Sequence, residues 1–153
     1  MGDTDDTVAI QRAIDQLFLN DATKHNTSSR VILYMEPGEY LISNEIKIPP
    51  YAHIIGAGID STIIHQTANY AIFRFVDGLS TPGNYTDFAS MNYLERPRNI
   101  LLSGLTLHTD NNTTIIFLDN TDSTVFDRIK FIGSSTNGID PTDTQIGVEL
   151  RGT

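Results

Sequence analysis

The sequence contains no cysteine. Disulfides, thiolate chemistry and cysteine-based zinc sites are thereby excluded, while the compartment stays open, because a missing residue suits either redox environment. Basic residues are also scarce: 10 Lys and Arg stand against 19 Asp and Glu, giving a formal net charge of −9 and a pI near 4.6. A nucleic-acid partner would want a basic stripe that releases counterions from phosphates, so none is expected. A polyanionic substrate is disfavoured on the same ground, less firmly. No apolar run reaches the ~18 residues of a membrane span, and no basic stretch leading into an apolar one marks a secretory leader. Membrane insertion is therefore not expected. Helical signal is short as well, being confined to the first 19 residues, and the remainder reads as short strands punctuated by Gly, Asn, Asp and Pro.

With 153 residues, 39% of them apolar, 11 Gly and 6 Pro, the chain is long enough for one sizeable core and loop-rich rather than disordered. A single domain over residues 1–153 is expected. From Asp6 to Phe18 the apolar residues Ile10, Ala13, Ile14, Leu17 and Phe18 share one helical face, and Gln11, Arg12, Asp15 and Gln16 share the other, the spacing of an amphipathic helix. Asp5, Asp6 and Thr7 precede it, where short oxygen-bearing side chains cap free N–H groups and carboxylates complement the macrodipole. That reading is preferred to metal binding or catalysis. After the polar connection NDATKHNTSS (20–29), strand patterns follow in RVILYM, GEYLIS, EIKIP, AHIIGAG and STIIHQT, each bounded by turn residues.

The second half carries a repeat. AIFRFV (71–76) leads to RNILLSGLTLHT (98–109), TIIFLD (114–119) leads to STVFDRIKFIGS (123–134), and IGVELRG (146–152) opens a further unit. Each unit holds an apolar strand, a turn of Asp, Asn, Ser or Gly, and a paired strand with a bend, LLSGLTL in one and VFDRIKF in the next. Leu105 and Ile129 are equivalent positions about 24 residues apart, the length of one solenoid repeat. Such strands without intervening helices do not build doubly wound units. They suit a coil whose turns stack, with Leu105 above Ile129 and Ile116 in line with Val148.

Three motifs in order resemble the pectate-lyase-like, right-handed parallel β-helix superfamily: GDTDDTVAIQRAID at the start, VILYMEPGEYLIS at 31–43, and HIIGAGIDSTIIHQT at 53–67. The resemblance covers nearly the whole chain. It implies an all-β, right-handed parallel β-helix with a short N-terminal capping helix over 1–19 and β-helix coils over 30–153. The helix would blunt the unpaired edge of the first coil, with Ile10, Ile14, Leu17 and Phe18 facing the interior. Since IGVELRGT breaks off where a further strand is due, the chain reads as the N-terminal part of a longer β-helix, or a piece completed by a partner. Members of the superfamily include phage tailspikes and fibres, pectate-lyase-like enzymes and glucanases.

Catalytic chemistry is sparse. Glycosidases use two carboxylates at defined separation, and Asp119, Asp122 and Asp127 cluster around one turn with Asp110 a unit earlier, but Asp and Asn at such places ordinarily satisfy turn backbone. Asn120-Thr121-Asp122 and Arg128-Ile129-Lys130 are similar to two fragments of the polygalacturonase signature, without the paired aspartates and Gly-His-Gly expected between them, so the match reads as coincidence. His25, His53, His65 and His108 lack short metal-ligand spacing, and His65 and His108 alternate with apolar residues as outward strand positions do. Arg74 and Arg128 are conceivable lyase arginines that nothing in the sequence places beside a carboxylate cluster. Gly56 and Gly58 are turn glycines rather than a phosphate cradle. No metal or other cofactor is expected.

One insertion stands apart. Residues 78–97 (GLSTPGNYTDFASMNYLERP) carry Tyr85, Phe88, Met91 and Tyr93, and a loop of that length has a function, mobility or a small core of its own. Aromatics beside Asp and Asn suit sugar stacking, a subunit interface, or local packing alike. Three roles remain open. The leading one is a structural and receptor-binding module of a phage tailspike-like or tail-fibre-like protein, a homotrimer located in the virion tail or outside the cell, which positions a glycan-binding or glycan-cleaving region. The others are a polysaccharide lyase or glycosidase and a non-enzymatic surface adhesin. The leading reading makes this chain by itself non-enzymatic, with cell-surface polysaccharide as its partner.

Overall fold

The computed structural model describes residues 4–19, 31–86, 95–111, 113–133 and 148–151, with residues 149–151 by backbone alone. Within them the chain is mostly β. Ten strands follow one short helix: β1 (Leu33–Met35), β2 (Gly38–Ile42), β3 (Ile46–Ile48), β4 (His53–Gly56), β5 (Thr62–Gln66), β6 (Phe73–Phe75), β7 (Leu101–Thr109), β8 (Ile116–Asp119), β9 (Val125–Ile132) and β10 (Val148–Arg151). Every pairing between these strands is parallel, and the strands form three ladders. The first ladder stacks β1, β4 and the leading halves of β7 and β9; the second stacks β2, β5 and the trailing halves of β7 and β9; the third stacks β3, β6, β8 and β10. The chain thus visits the ladders in the same order four times. Leu105 lies opposite Ile129, and Ile116 opposite Val148, the pairs that the repeat predicts.

The bends expected within β7 and β9 fall at Gly104 (φ +65°) and Arg128 (φ +51°), which occupy the matching position between the two halves of the register. Gly56 has its own reason to be glycine. The Gly104 carbonyl passes so close that a Cβ on Gly56 would lie 2.4 Å from its oxygen and 2.6 Å from Leu105 Cδ2, closer than any side chain tolerates. Tyr51, Asn99 and Ser123, each with positive φ, stand two residues before β4, β7 and β9, so the corner recurs as the strands do. Asp60 and Asn120 take the same left-handed backbone, a conformation that Asn and Asp accept more readily than most residues.

Alternate side chains enter the interior, where Ile42, Ile46, Ile54, Ile64, Leu102, Leu105, Leu107 and Ile116 belong to one buried cluster. Each fully buried side chain of this size contributes about 1.5–3 kcal/mol. Buried Gln66 is satisfied: its Nε2 donates to the carbonyls of Asn44 (3.1 Å) and Ala71 (2.9 Å), and its Oε1 accepts from Ala68 N. Thr62 Oγ1 likewise accepts from Ala57 N and donates to Met35 O. Such pairing removes the penalty of an orphaned polar group.

The helix α1 spans Thr7–Ile14 and passes into a π-helical turn over Asp15–Leu19, where one continuous α-helix is expected. The wider winding places Phe18 and Leu19 both on the core side. With Ile10 and Ile14, Phe18 joins the cluster that holds Ile42, Ile46 and Ile48, so this short helix covers the first circuit. The acidic start does more than cap. Asp5 Oδ1 accepts from Thr7 N at 2.9 Å, whereas Asp6 caps nothing with its side chain and pairs instead with the strand edge. Asp6 N donates to Leu41 O (2.7 Å), and Leu41 N donates to Asp6 Oδ2 (3.1 Å). Thr7 Oγ1 accepts from Ser43 N (2.9 Å), and Ser43 Oγ donates to Asp5 Oδ2. Gln11, assigned by periodicity to the outer face, lies against β3: Lys47 N donates to its Oε1 (2.7 Å), and its Nε2 donates to Lys47 O (3.1 Å). The outermost edges of β2 and β3 are thereby occupied by side chains of the helix segment.

Candidate functional site

The carboxylates named from the sequence fall on three different elements. Asp119 ends β8 in the third ladder, Asp122 sits in the turn before β9, and Asp127 lies on the leading half of β9 in the first ladder. Asp122 fits the expectation of a turn residue, since its backbone bridges Arg98, its N–H donates to Pro97 O (2.9 Å), and Oδ1 accepts from Ser123 Oγ. Asp127 is exposed, and its Oδ2 accepts from Ser103 Oγ and Arg128 Nε, both at 3.1 Å. Both arginines considered stand beside a carboxylate, Arg128 beside Asp127 and Arg74 beside Glu45: Arg74 Nε donates to both oxygens of Glu45 (2.9 and 3.0 Å), and its guanidinium lies 4.5 Å over the Phe117 ring. Lys47 shares Glu45, so these groups form a structural ion-pair set along the third ladder.

Of the aromatic insertion, residues 78–86 and 95–97 are described, and Phe88 and Tyr93 lie outside the described residues. Buried Asp77 anchors its base. Oδ1 accepts from Leu79 N (3.0 Å) and from Thr86 Oγ1, and Asp77 N donates to Thr86 O (3.0 Å). Tyr85 reaches back to the capping segment, donating its hydroxyl to Asp15 Oδ2 at 2.5 Å. Burial first, and then this hydrogen bond, push the phenol up to about 12. Asp15, which periodicity places on the polar face, is buried and also accepts from Gln11 Nε2 (3.0 Å). Val8, Arg12, Asp15, Gln16 and Pro82 line a largely apolar cleft of ≈410 Å³ between the helix and the turn at Thr81–Asn84.

A cluster that local spacing did not disclose lies on the outer face of the second ladder. The register sets His65 of β5 directly opposite His108 of β7, and the two rings stack with centroids 4.1 Å apart and planes 13° from parallel. Glu39 on β2 places Oε1 2.9 Å from His65 Nδ1. Asp110, just past β7, places Oδ2 2.7 Å from His65 Nε2 and Oδ1 3.1 Å from His108 Nε2. With carboxylates on both nitrogens, His65 donates from both when it is the imidazolium. Desolvation lowers its pKa, but the hydrogen bonds to Asp110 and Glu39 outweigh that and leave it above the ordinary value. The His65 hydrogen bond in turn holds Asp110 below the usual carboxylate range. Both histidines face outward as expected, yet they form a cluster and are not isolated surface side chains. The signal was present in the equivalence of TIIHQT (62–67) with LTLHTD (105–110), which becomes visible only when the repeat is laid over both segments.

No curated protein and no solved structure matches the chain. Residues 1–150 match the family described as rhamnogalacturonase A/epimerase, pectate lyase-like, and the chain, with its stacked parallel circuits and its helix over the first of them, belongs to that family.

Proposed function

We propose that the three ladders are the faces of a right-handed parallel β-helix and that this chain is a structural, receptor-binding module of a tailspike-like or tail-fibre-like protein acting on glycans outside the cell. The single observation that carries the reading is the asymmetry of the stack. Its first circuit is covered by helix side chains and backbone pairing, whereas the fourth circuit leaves Val125 and Phe131 exposed on β9, although every residue of β7 between its first and penultimate positions is buried. Apolar side chains exposed on this circuit suit a surface that packs against a neighbouring subunit. Family membership supports a carbohydrate-related role, and the insertion around Tyr85, Phe88 and Tyr93 is the surface we assign to sugar or to a neighbouring subunit of a homotrimer. The same membership favours, as a second reading, a polysaccharide lyase or glycosidase whose acids lie elsewhere.

Light scattering on the purified chain, joined to a bacterial-polysaccharide array, tests the proposal. A mass three times the 16.9 kDa of one chain, with glycan retention lost in Tyr85→Ala, Phe88→Ala and Tyr93→Ala variants that keep the parent circular dichroism, is the expected result. A monomer that retains no polysaccharide would overturn it.

A further inference from the structure

We propose that Glu39, His65 and His108 form a binding site for a divalent transition-metal ion of the zinc class, with Asp110 orienting both imidazoles from their opposite Nε2 edge, and that the ion staples three successive circuits of the second ladder. One donor atom from each of Glu39, His65 and His108 lies within 4.8 Å of the other two. Zinc holds imidazole nitrogen and carboxylate oxygen at about 2.0–2.2 Å, so tetrahedral donors stand roughly 3.4 Å apart. Closing the difference requires the two imidazoles to turn out of their parallel stack so that their in-plane lone pairs converge on one ion. The backbone already supplies the harder part, since parallel neighbours at about 4.8 Å and the His65–His108 register hold two imidazoles side by side.

The donor chemistry selects the ion. Two imidazoles with a carboxylate suit zinc, copper(II) or nickel, whereas calcium and magnesium want an all-oxygen shell. The cluster is also accessible, because the side chains of His65 and His108 are 17% and 26% exposed and those of Glu39 and Asp110 49% and 63%. Its three strands β2, β5 and β7 come from three consecutive circuits, so an ion held there opposes their separation. An ion that binds the folded chain and not the unfolded one stabilises it in proportion to the logarithm of its saturation. This inference is independent of the glycan reading, since the cluster lies on the second ladder and the test uses no sugar.

The test is titration of the chelator-treated full chain with zinc chloride alone, followed calorimetrically, and with cobalt chloride, followed by its visible absorption. One ion per chain, cobalt bands of a nitrogen-coordinated site, and a melting temperature that rises with zinc are expected. His65→Ala and His108→Ala should each weaken zinc at least tenfold and abolish the zinc-dependent rise, while keeping the parent circular dichroism and a cooperative metal-free melt. Asp110→Asn should weaken zinc about tenfold. Zinc affinity unchanged in the His65→Ala/His108→Ala double variant would place the ion elsewhere and overturn the proposal, as would calcium binding in preference to zinc. Should the histidine variants melt early, His108→Gln, which keeps a polar side chain of similar size, replaces them and must show the same loss.

Discussion

Gln11 and Asp15 show how much a side chain can do that its residue type does not announce. Helical periodicity puts both on the polar face, yet Gln11 takes up both backbone groups of Lys47, much as a neighbouring strand would, and Asp15 accepts from Gln11 and Tyr85. Periodicity distinguishes apolar from polar positions but cannot tell a polar residue in water from one serving a strand edge. The Tyr85 pairing has a consequence in alkali. An unfolded tyrosine ionises near 10 and the folded one near 12, so the folded chain holds a proton that the unfolded chain has released. The associated stabilisation is complete below pH 10 and is lost as pH rises toward 12. In a tyrosinate absorbance titration, Tyr85→Phe should remove one late-ionising phenol. Asp15→Asn leaves the burial in place and removes the charged acceptor, so it should bring Tyr85 part of the way back toward 10. Superimposable titrations of Asp15→Asn and the parent would show that Asp15 does not hold the phenol. His65 and His108 escaped a spacing argument for a related reason: their proximity is created by register between circuits, not by distance along the chain.

The strands were legible because alternation and turn residues both mark them, and each of the ten expected runs contains one. Their bends were legible too, from the LLSGLTL and VFDRIKF pattern, although only Gly104 carries the residue that a positive φ favours; Arg128 adopts the same backbone because its circuit stacks on that of Gly104. The end of the helix was not legible. The π-helical turn arises from packing, since Phe18 and Leu19 both reach the core only with the wider winding. What the helix contributes can be measured at Ile14, which is fully buried in contact with the cluster of the first circuit. Ile14→Asp puts a carboxylate there without a partner, which costs several kcal/mol unless the group is neutralised. We expect a large fall in the urea midpoint, with Ile14→Val losing only about 0.5–1.5 kcal/mol. Equal midpoints for Ile14→Asp and the parent would show that the helix does not seal the stack.

Stacking identical corners and ladders brings positions from different circuits into line, and a catalytic site on such a surface needs two or more reactive groups in one such line. Glycosidases need paired carboxylates about 5–5.5 Å apart when retaining, or about 6.5–9.5 Å when inverting, one of them a desolvated acid. The chain instead distributes Asp119, Asp122 and Asp127 over β8, a corner and β9, and leaves the Asp127 side chain 51% exposed beside Arg128. A lyase needs an arginine free to act as base near a calcium-binding set of carboxylates, and Arg74 is committed to Glu45 and Phe117. Among the described residues, the cluster with two histidines sets His65 and His108 beside Glu39 and Asp110 on the outer face of the second ladder, the site proposed above for an ion rather than for attack on a glycosidic bond. We therefore expect the purified chain, incubated with a panel of bacterial and plant polysaccharides including pectate with calcium, to release neither new reducing ends nor the unsaturated products of lyases. Turnover that disappears when Asp119, Asp122 or Asp127 is replaced by Asn, with the fold intact by circular dichroism, would instead assign those carboxylates to catalysis and make the chain an enzyme in its own right.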